Sequence, residues 1–251
     1  MIQALFNTEV DAFTGLQGLQ QLDQLKDISL GETYVLTKDD EGKTAIRSAK
    51  NKAEGKGMMG GGLIGGLIGM LAGPLGFIVG VAGGMVAGSA TDTLRAEDVS
   101  DYLDAVSANI PTGKSVLIAH VWEDWETPVN TVLLPIAIDL QRFDVHEELF
   151  LPVQSELSKT NEAIAAAEKK YIEAQGAEKE DWNATLANLR TKREKLQRQL
   201  DANTEQQEKQ YQTWIDETQP RATDATTEST ERLQKRMEEQ QKRLAQIKRN
   251  R

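Results

Sequence analysis

The eight residues Ser115-Val-Leu-Ile-Ala-His-Val-Trp122 form an almost continuously apolar run. A run of this length without polar alternation is typical of a central strand whose sheet is covered on both faces. Pro111-Thr112-Gly113 stands immediately before the run and ends a helix predicted over residues 96–109. The run therefore predicts the middle strand of a sheet, and the segments on either side decide how that sheet is completed.

Segments with strand or helix periodicity flank this run on both sides. Apolar residues at even positions from Ile28 to Leu36 show the period of two that is typical of a half-buried strand. Thr8 is suited to cap a helix, because the next turn carries two acids where the helix dipole favours negative charge. The other predicted elements are strands at Ile2–Phe6, Thr44–Ser48 and Leu140–Val145, a hairpin turn at Lys38–Lys43 and a short helix from Thr127-Pro128 to Leu134. Their order predicts an α+β domain of ferredoxin-like type over 1–56 and 93–146.

A glycine-rich segment over 57–92 interrupts this domain. No Asp, Glu, Lys or Arg falls between Gly57 and Thr91, although charged residues make up 27% of the chain. A glycine recurs every fourth residue in two series separated by Pro74. The two series are Gly61, Gly65, Gly69 and Gly73, followed by Gly76, Gly80, Gly84 and Gly88. Because each glycine costs a helix in water about 1 kcal/mol relative to alanine, the pattern favours two helices in lipid or in a tightly packed apolar interior.

The length and the flanks of this segment predict a helical hairpin. Each glycine series spans about 15 residues, or roughly 22 Å as a helix, whereas the hydrocarbon core of a bilayer is about 30 Å thick. If the strands before and after the segment belong to one sheet, both of its ends lie on one side of a membrane. A hairpin that turns at Gly73-Pro74-Leu75 meets this condition, and a single span does not. The basic residues Arg47, Lys50, Lys52 and Lys56 before it place the sheet in the cytoplasm by the positive-inside rule.

Residues 147–219 have the periodicity of a long helix or a helical hairpin of coiled-coil type. Apolar residues recur at intervals of three, four or seven on both sides of Gly176, but the two stretches do not share one heptad register. The mismatch predicts either a stutter or an antiparallel turn near Gly176. Asn203 and Gln207 occupy seam positions, which predicts that helix pairing weakens toward Trp214.

The C-terminal residues divide into a predicted linker over 220–229 and a basic amphipathic helix over 230–251. Apolar residues from Leu233 to Ile247 share one face of that helix. Residues 228–251 carry eight Lys or Arg and four Asp or Glu. The candidate contact residues for anionic lipid or an acidic partner are Lys242, Arg243, Lys248, Arg249 and Arg251. A solvated end of a coiled coil is an equal alternative, and nucleic-acid binding ranks third.

Composition excludes several functional classes. The chain of 251 residues contains no cysteine, which excludes disulfide scaffolds, thiolate metal sites and cysteine nucleophiles. Its net charge of −10 argues against nucleic acid as the main partner. The first eleven residues contain two acids and do not show the basic start of a secretory signal, so secretion is not expected.

Short strings that imitate catalytic motifs fail on spacing or context. Thr112-Gly113-Lys114-Ser115 resembles part of a phosphate loop, but Ala108 stands where the first glycine should be, and a strand follows instead of a helix. His146-Glu147-Glu148 begins like a zinc protease helix, but Phe150 replaces the second histidine. Asp39-Asp40-Glu41-Gly42 does not have the alternating spacing of an EF-hand and is interpreted as a turn. We therefore expect no catalytic site, no cofactor and no metal.

His120 and the acids that follow it have two interpretations each. His120 could be a haem or pocket ligand, but a hydrogen-bonded histidine within the sheet is the preferred interpretation. The acids around Trp125, within Glu123–Glu126, are interpreted as a solvated loop. An exposed pair of Trp122 and Trp125 would indicate an interface or contact with a membrane surface.

Four features are combined in an arrangement that resembles a known family. They are the strand Ile2–Phe6, the hairpin Lys38–Lys43, the GxxxG segment Gly60–Ser89 and the sequence Pro-Thr-Gly-Lys-Ser-Val-Leu-Ile at 111–118. The arrangement resembles a bacterial family of predicted membrane proteins of unknown function, some of which are associated with general stress. The resemblance covers about residues 1–150 and implies an α+β domain interrupted by an apolar glycine-rich hairpin, with no catalytic residues to transfer. The helical region 147–251 departs from the family pattern and suggests a specialised assembly or docking member.

These features predict a non-enzymatic, membrane-associated homo-oligomer with an assembly or scaffolding role. The glycine-rich hairpin is expected to insert in or pack at a membrane, and the helical region to bundle with neighbouring copies. The expected partners are other copies of the chain, membrane lipid and an acidic partner for the C-terminal helix. The expected location is the cytoplasmic face of the bacterial inner membrane, or the cytoplasm. The alternatives are a soluble self-assembling ring or particle that buries its hairpins and a pore-forming protein that controls permeability.

Overall fold

The computed structural model describes residues 1–50, 110–219 and 227–249. The predicted helix over 96–109 and the glycine-rich segment over 57–92 lie outside the described residues. Within the described ranges the fold is α+β, as predicted, and consists of one antiparallel sheet with helices on both faces.

Five strands of the described ranges form the sheet, in the order β3-β2-β4-β1-β5. They are β1 (Ile2–Phe6), β2 (Ile28–Lys38), β3 (Thr44–Lys50), β4 (Ser115–Glu123) and β5 (Ala137–Arg142). Each neighbouring pair is antiparallel. β4 lies third of the five, between β2 and β1, and its residues from Ser115 to His120 are all buried. The predicted central strand is therefore confirmed.

Two helices, α1 (Glu9–Gln24) and α2 (Thr127–Leu133), cover one face of the sheet. The hydroxyl oxygen of Thr8 accepts a hydrogen bond from the backbone N–H of Asp11 at 3.1 Å, which confirms the predicted helix cap. Alternate residues of the strands point toward these helices, because successive side chains of a strand face opposite sides. The core on this face includes Ile2, Ala4, Phe6, Leu16, Leu19, Leu30, Leu117, Val129 and Leu133.

Three helices cover the opposite face: α3 (Leu151–Glu173), α4 (Ala177–Thr218) and α5 (Thr227–Arg249). A single π-helical turn at His146–Phe150 leads directly into α3. One core cluster on this face includes Tyr34, Leu36, Val116, Ile118, Phe150, Val153 and Leu196. The other includes Trp122, Tyr211, Trp214, Ile215 and Leu244. The helical region thus packs on the sheet, whereas the sequence predicted that it extends from the α+β domain.

The chain reverses direction at Gly176, so α3 and α4 form an antiparallel hairpin. Gly176 has a φ of +57°, in the left-handed region that glycine adopts readily. The hairpin seam contains Ile164, Ala167, Tyr171, Trp182, Leu186 and Leu189. Two ion pairs cross it, between Lys192 and Glu156 at 2.6 Å and between Arg190 and Glu168 at 3.0 Å. Of the two predicted alternatives, the antiparallel turn is confirmed.

Several predicted boundaries are wrong. β5 is Ala137–Arg142 instead of Leu140–Val145, because pairing with β1 from Phe6 back to Ile2 fixes its extent, and β3 runs to Lys50 instead of Ser48. α5 begins at Thr227, so the last three residues of the predicted linker are helical. Two acids early in the sequence of α5 favour this start, since they complement the positive end of the helix dipole.

The expected weakening of helix pairing toward Trp214 is also wrong. Trp214 is 1% exposed, and Asn203 and Gln207 are buried as well. The part of α4 that extends past its hairpin with α3 packs on β4 at Trp122 and on α5 at Leu244. The heptad seam ends there because the packing surface changes.

Candidate functional site

A cleft of about 240 Å³ lies between β4, α4, α5 and the segment that follows β5. β4 contributes His120 and Trp122, and α4 contributes Gln207, Tyr211 and Trp214. Asp144 and His146 line it from the segment after β5, and Arg243, Gln246 and Ile247 from α5. The chain contains two histidines, 26 positions apart, and both of them line the cleft.

His120 is a deeply buried polar side chain of the cleft. It is 4% exposed, and its ring lies 4.8 Å from that of Trp214 between centroids. Its Nδ1 has no hydrogen-bond partner among the described residues. The predicted position within the sheet is confirmed, but the predicted hydrogen-bonded state is not. Burial lowers the pKa of His120 from 6.5 to about 3, so the ring is neutral at physiological pH.

The low pKa of His120 makes folding stability depend on pH. The unfolded chain binds a proton at this histidine below about pH 6.5, whereas the folded chain does not until about pH 3. Stability therefore falls as the pH drops through this window, by about 2 kcal/mol between pH 7 and pH 5. Urea unfolding of the wild-type chain and of His120→Gln at both pH values measures the effect. The variant should lose that part of the pH dependence, whereas His146→Gln, which removes the exposed histidine, should keep it; equal pH dependence in all three chains would contradict the prediction.

Three aromatic rings form one wall of the cleft. Tyr211 meets Trp122 at 5.8 Å and Trp214 at 5.4 Å between ring centroids, and both contacts are edge to face. Trp122 and Trp214 meet in the same way at 6.4 Å. Burial raises the pKa of the Tyr211 hydroxyl, while the charge of Arg243 lowers it and that of Asp144 raises it. Trp122 is half-buried, so the structure does not show the exposed pair of tryptophans that would have indicated an interface, although Trp125 is 43% exposed.

Three charged groups line the cleft: Asp144, Arg243 and the N-terminal ammonium of Met1, which donates to the backbone carbonyl of Phe143 at 2.9 Å. Asp144 directs its Oδ1 to the backbone, where it accepts hydrogen bonds from the N–H groups of His146 at 2.8 Å and Glu147 at 3.1 Å. These contacts cap the start of the π-helical turn. Arg243 is exposed and reaches the cleft from the opposite element, α5. Neither side chain forms an ion pair with another described residue.

A buried ion pair fixes α5 beside the cleft. Arg236 is fully buried, and its Nε and Nη2 donate to the carboxylate of Asp124 at 3.0 and 2.5 Å. Its Nη2 also donates to the backbone carbonyl of Asp27 at 3.1 Å. On the previous turn, Arg232 lies over the ring of Trp125 at 5.0 Å. α5 is therefore attached through polar contacts as well as through its apolar face.

The prediction of a solvated loop around Trp125 holds only in part, since Glu126 is exposed but the carboxylates of Glu123 and Asp124 are engaged. Asp124 holds Arg236, and Glu123 accepts two hydrogen bonds from Arg142 at 2.6 and 3.1 Å. The hydrogen bond to Glu123 raises the pKa of Arg142. The one signal in the sequence that could have indicated this was the position of Arg236, which shares a helical face with Leu233.

The predicted basic contact residues do not act as one group. Arg243 lines the cleft, and Lys242 and Lys248 are exposed. Arg249 is exposed too, and its Nε donates to the carbonyl of Ala245 in its own helix at 3.2 Å. Arg251 lies outside the described residues. The predicted hairpin residues, Gly61, Gly65, Gly69, Gly73, Pro74, Gly76, Gly80, Gly84 and Gly88, lie outside them as well.

The strings that imitate catalytic motifs have structural roles in the described ranges. Gly113 has a φ of +73° in the turn before β4, and the Lys114 ammonium donates to the side-chain oxygen of Asn7 at 2.7 Å. A strand follows this turn, so no helix N-terminus faces it. Asp39 accepts a hydrogen bond from the N–H of Lys43 at 2.8 Å and closes the predicted hairpin turn.

Within 1–50, 110–219 and 227–249, no group of three or more His, Asp or Glu side chains could hold a metal ion. None of the helices in the same ranges is long and apolar enough to cross a membrane.

Comparisons with protein-family models, with curated proteins and with solved structures found no match to this chain. The resemblance to a bacterial family of predicted membrane proteins stays a prediction from the sequence.

Proposed function

We propose that the chain is a non-enzymatic, membrane-associated scaffold whose glycine-rich segment makes the membrane contact. One observation supports this proposal above the others: the strands before and after that segment, β3 and β4, both pair with β2 in one sheet. The sequence argument for a hairpin depended on this condition. If the segment enters a membrane, this pairing keeps the two described strands that flank it on one side.

The two ends of the intervening segment are close in the register of β2. Lys50, at the end of β3, lies opposite Thr33, and Ser115, at the start of β4, lies opposite Thr37. Four residues of strand correspond to about 13 Å along β2, and β3 and β4 lie on opposite sides of β2, about 10 Å apart across the sheet. Flanking strands this close suit a hairpin with two passes, because a single pass would leave the ends on opposite sides of a bilayer of about 30 Å.

The charges around the start of the segment support a cytoplasmic side for the sheet. Arg47 forms an exposed ion pair with Glu9 at 3.1 Å, and the sequence adds Lys50, Lys52 and Lys56 before the uncharged region begins. Basic residues next to a membrane segment favour the cytoplasmic side and attract anionic lipid. We therefore place the sheet at the cytoplasmic face of a bacterial inner membrane.

The strand order supports the finer assignment of a ferredoxin-like domain. The sequence of neighbours β5-β1-β4-β2 interleaves two strand-helix-strand units, so that each central strand lies between the strands of the other unit. β3 adds a fifth strand at the edge beside β2. The additional helices α3, α4 and α5 occupy the face that α1 and α2 leave open.

Self-assembly is the second part of the proposal, and we now expect its interface at the edge of the sheet instead of on the helical region. The α3–α4 seam is already filled within the chain, which leaves fewer apolar residues for bundling with neighbours. Edge-to-edge pairing is better supported, since β5 is an outer strand of the described sheet and Ile138 on it is exposed.

Flotation with liposomes tests the membrane contact. The wild-type chain should float with vesicles of anionic and neutral phospholipid, and Gly69→Leu with Gly80→Leu should lose flotation, because leucine fills the groove through which the helices approach. The matched control, Gly69→Ala with Gly80→Ala, keeps small residues there and should float like the wild type. Unchanged flotation of the leucine variant would contradict the proposal. A wild-type chain that stays unbound as a large monodisperse oligomer would favour the soluble particle, and dye release from the vesicles would favour the pore.

A further inference from the structure

The cleft combines an apolar interior with two opposite charges from different elements. Trp122, Tyr211 and Trp214 provide the aromatic wall, Arg243 comes from α5, and Asp144 from the segment after β5. Both side chains line the same cleft as Tyr211, so one small ligand can meet both of them. The N-terminal ammonium of Met1 lies in this lining too, where it donates to the carbonyl of Phe143; burial lowers its pKa, whereas the charge of Asp144 acts to raise it.

We propose that this cleft binds a small zwitterion with an apolar body, for which a free α-amino acid with an aromatic or aliphatic side chain is the simplest candidate. Arg243 binds the carboxylate, Asp144 binds the ammonium group, and the side chain of the ligand lies against Trp122 and Tyr211. Nothing in the proposed membrane scaffold requires this site, so it is an additional function.

The charges at the cleft select a ligand that carries both signs. A purely anionic ligand would bind Arg243 but would lie close to the carboxylate of Asp144. A purely cationic ligand would bind Asp144 but would lie close to Arg243 and to the N-terminal amino group of Met1. Such like-charge contacts are a common source of specificity against wrong ligands. A guanidinium binds a carboxylate through two parallel hydrogen bonds, which also fixes the orientation of the ligand.

The size and lining of the cleft restrict the body of the ligand. A volume of about 240 Å³ is below the range of about 300–1,000 Å³ that holds drug-sized molecules, so it favours a metabolite of amino-acid size over a nucleotide or a lipid chain. Aromatic rings on one wall favour an apolar or planar side chain. Gln207 and Gln246 add amide groups for hydrogen bonding.

The buried histidine is a second, independent indication of a ligand. His120 lines the cleft while 4% exposed, and its Nδ1 has no partner in the parts of the chain that are described. Buried polar atoms in folded proteins almost always have a hydrogen-bond partner, and those that have none point to a missing ligand or water. A ligand that occupies the cleft supplies such a partner, directly or through a water it carries in.

Calorimetric titration of the full chain with L-phenylalanine tests the proposal, with 3-phenylpropionate and 2-phenylethylamine as analogues that lack one charge each. L-Phenylalanine or L-leucine should bind with a Kd of about 10 μM to 1 mM. Each single-charge analogue should bind at least about tenfold more weakly than L-phenylalanine, because a charge-assisted hydrogen bond is lost. Equal binding of either analogue would overturn the zwitterion assignment, and binding of neither amino acid would overturn the site.

Two variants connect the binding to the cleft. Arg243→Gln and Asp144→Asn should each weaken L-phenylalanine binding by about tenfold or more. Asparagine at 144 can still accept the backbone hydrogen bonds that start the π-helical turn, so the fold should persist, as far-ultraviolet circular dichroism would verify. The matched control is Lys242→Gln, which removes one positive charge from the neighbouring residue outside the cleft. Binding by Arg243→Gln as tight as that of Lys242→Gln would contradict the proposal.

Discussion

Replacing Asp124 with alanine is expected to lower the free energy of unfolding by about 3–5 kcal/mol and to release α5 from the sheet. The effect arises at Arg236, whose side chain is 0% exposed and whose Nε and Nη2 donate to the Asp124 carboxylate at 2.5–3.1 Å. Without that carboxylate, the buried cation keeps only the backbone carbonyl of Asp27 at 3.1 Å as a described partner. A buried charge that loses its partner retains its desolvation cost, so undocking the helix becomes the cheaper alternative.

Urea unfolding and trypsin digestion measure this effect at two levels. The midpoint of unfolding, followed by tryptophan fluorescence, reports the global change in free energy. Trypsin cleavage within α5 reports local release of the helix. A docked helix protects the peptide bonds that follow its lysines and arginines from the protease. If α5 undocks without the sheet unfolding, the rate of cleavage should rise by a larger factor than the change in the global free energy of unfolding would account for.

The matched variant Arg236→Met removes the cation instead of its partner. Methionine fills a similar space with apolar atoms, and the remaining carboxylate of Asp124 is 18% exposed, so it can be partly hydrated. Its loss should therefore be clearly smaller, about 1–2 kcal/mol. Adding Asp124→Asn to Arg236→Met should cost little more. An Asp124→Ala chain no less stable than Arg236→Met would show that the buried charge is not what holds α5.

The sheet could be predicted from the sequence because its strands carry their own periodicity. The apolar run from Ser115 identified the central strand, and Gly176 with the broken heptad register predicted either a stutter or the antiparallel turn that the structure contains. These signals are local, since a strand buried on both faces must be apolar throughout, and a left-handed turn favours glycine. Such local signals can be interpreted without knowing which surface the element packs against.

The packing of α4 and α5 could not be predicted, because its signals are not local. Arg236 and Gln240 are buried although both are polar, and Arg236 finds its partner 112 residues earlier in the chain. A charged residue on a helix face indicates solvent by default, since an isolated charge is costly to bury. Only the position of Asp124 at the end of β4 reverses that expectation.

The close approach of α4 to β2 left one faint trace in the sequence. The alternation of β2 breaks at Gly31, where the register with β4 shifts between Leu30 and Thr33. A Cβ at Gly31 would lie 2.8 Å from the side-chain oxygen of Gln210 on α4. The glycine therefore permits the helix to cross the strand closely, but a glycine within a strand has several other causes.

The candidate site was only half visible for the same reason. His120 and Arg243 were both singled out from the sequence, one as a sheet histidine and one as part of a basic tail. The structure brings them to one cleft and adds Tyr211 and Trp214 from α4. Since the sequence predicted that helix pairing weakens around Trp214, it gave no reason to place these aromatic residues beside the histidine.

Replacing Trp214 with alanine is expected to lower the free energy of unfolding by about 3–5 kcal/mol. Trp214 is 1% exposed and contacts three aromatic rings, those of His120, Trp122 and Tyr211. Truncation removes these contacts and leaves a cavity that surrounding side chains fill only in part. If α4 were only loosely held at this end, as its polar seam suggested, the same substitution would cost less than about 1 kcal/mol.

Two further substitutions serve as controls. One separates the ring packing of Trp214 from the effect of its indole nitrogen, and the other tests whether the loss of any tryptophan has the same effect. Trp214→Phe keeps an aromatic ring and removes an Nε1 that has no partner within the described ranges, so it should cost clearly less than alanine. Trp182→Ala removes a partly buried tryptophan from the far end of the α3–α4 hairpin and should leave the cleft intact. Urea unfolding of the three chains gives the comparison, and equal losses for Trp214→Ala and Trp182→Ala would contradict the assigned role of Trp214.

The alanine variant should also change the titration of His120, which links the packing to the cleft. Burial holds the pKa of this histidine at about 3, and Trp214 supplies part of that burial through its ring contact at 4.8 Å. Water that enters the cavity in Trp214→Ala would hydrate the imidazolium and raise the pKa of His120 toward 6.5. Since the stability difference between pH 7 and pH 5 depends on the gap between the folded and unfolded pKa, that difference should shrink in Trp214→Ala relative to the wild type. An unchanged difference would mean that other residues keep water from His120, and that the aromatic wall is not what closes the cleft.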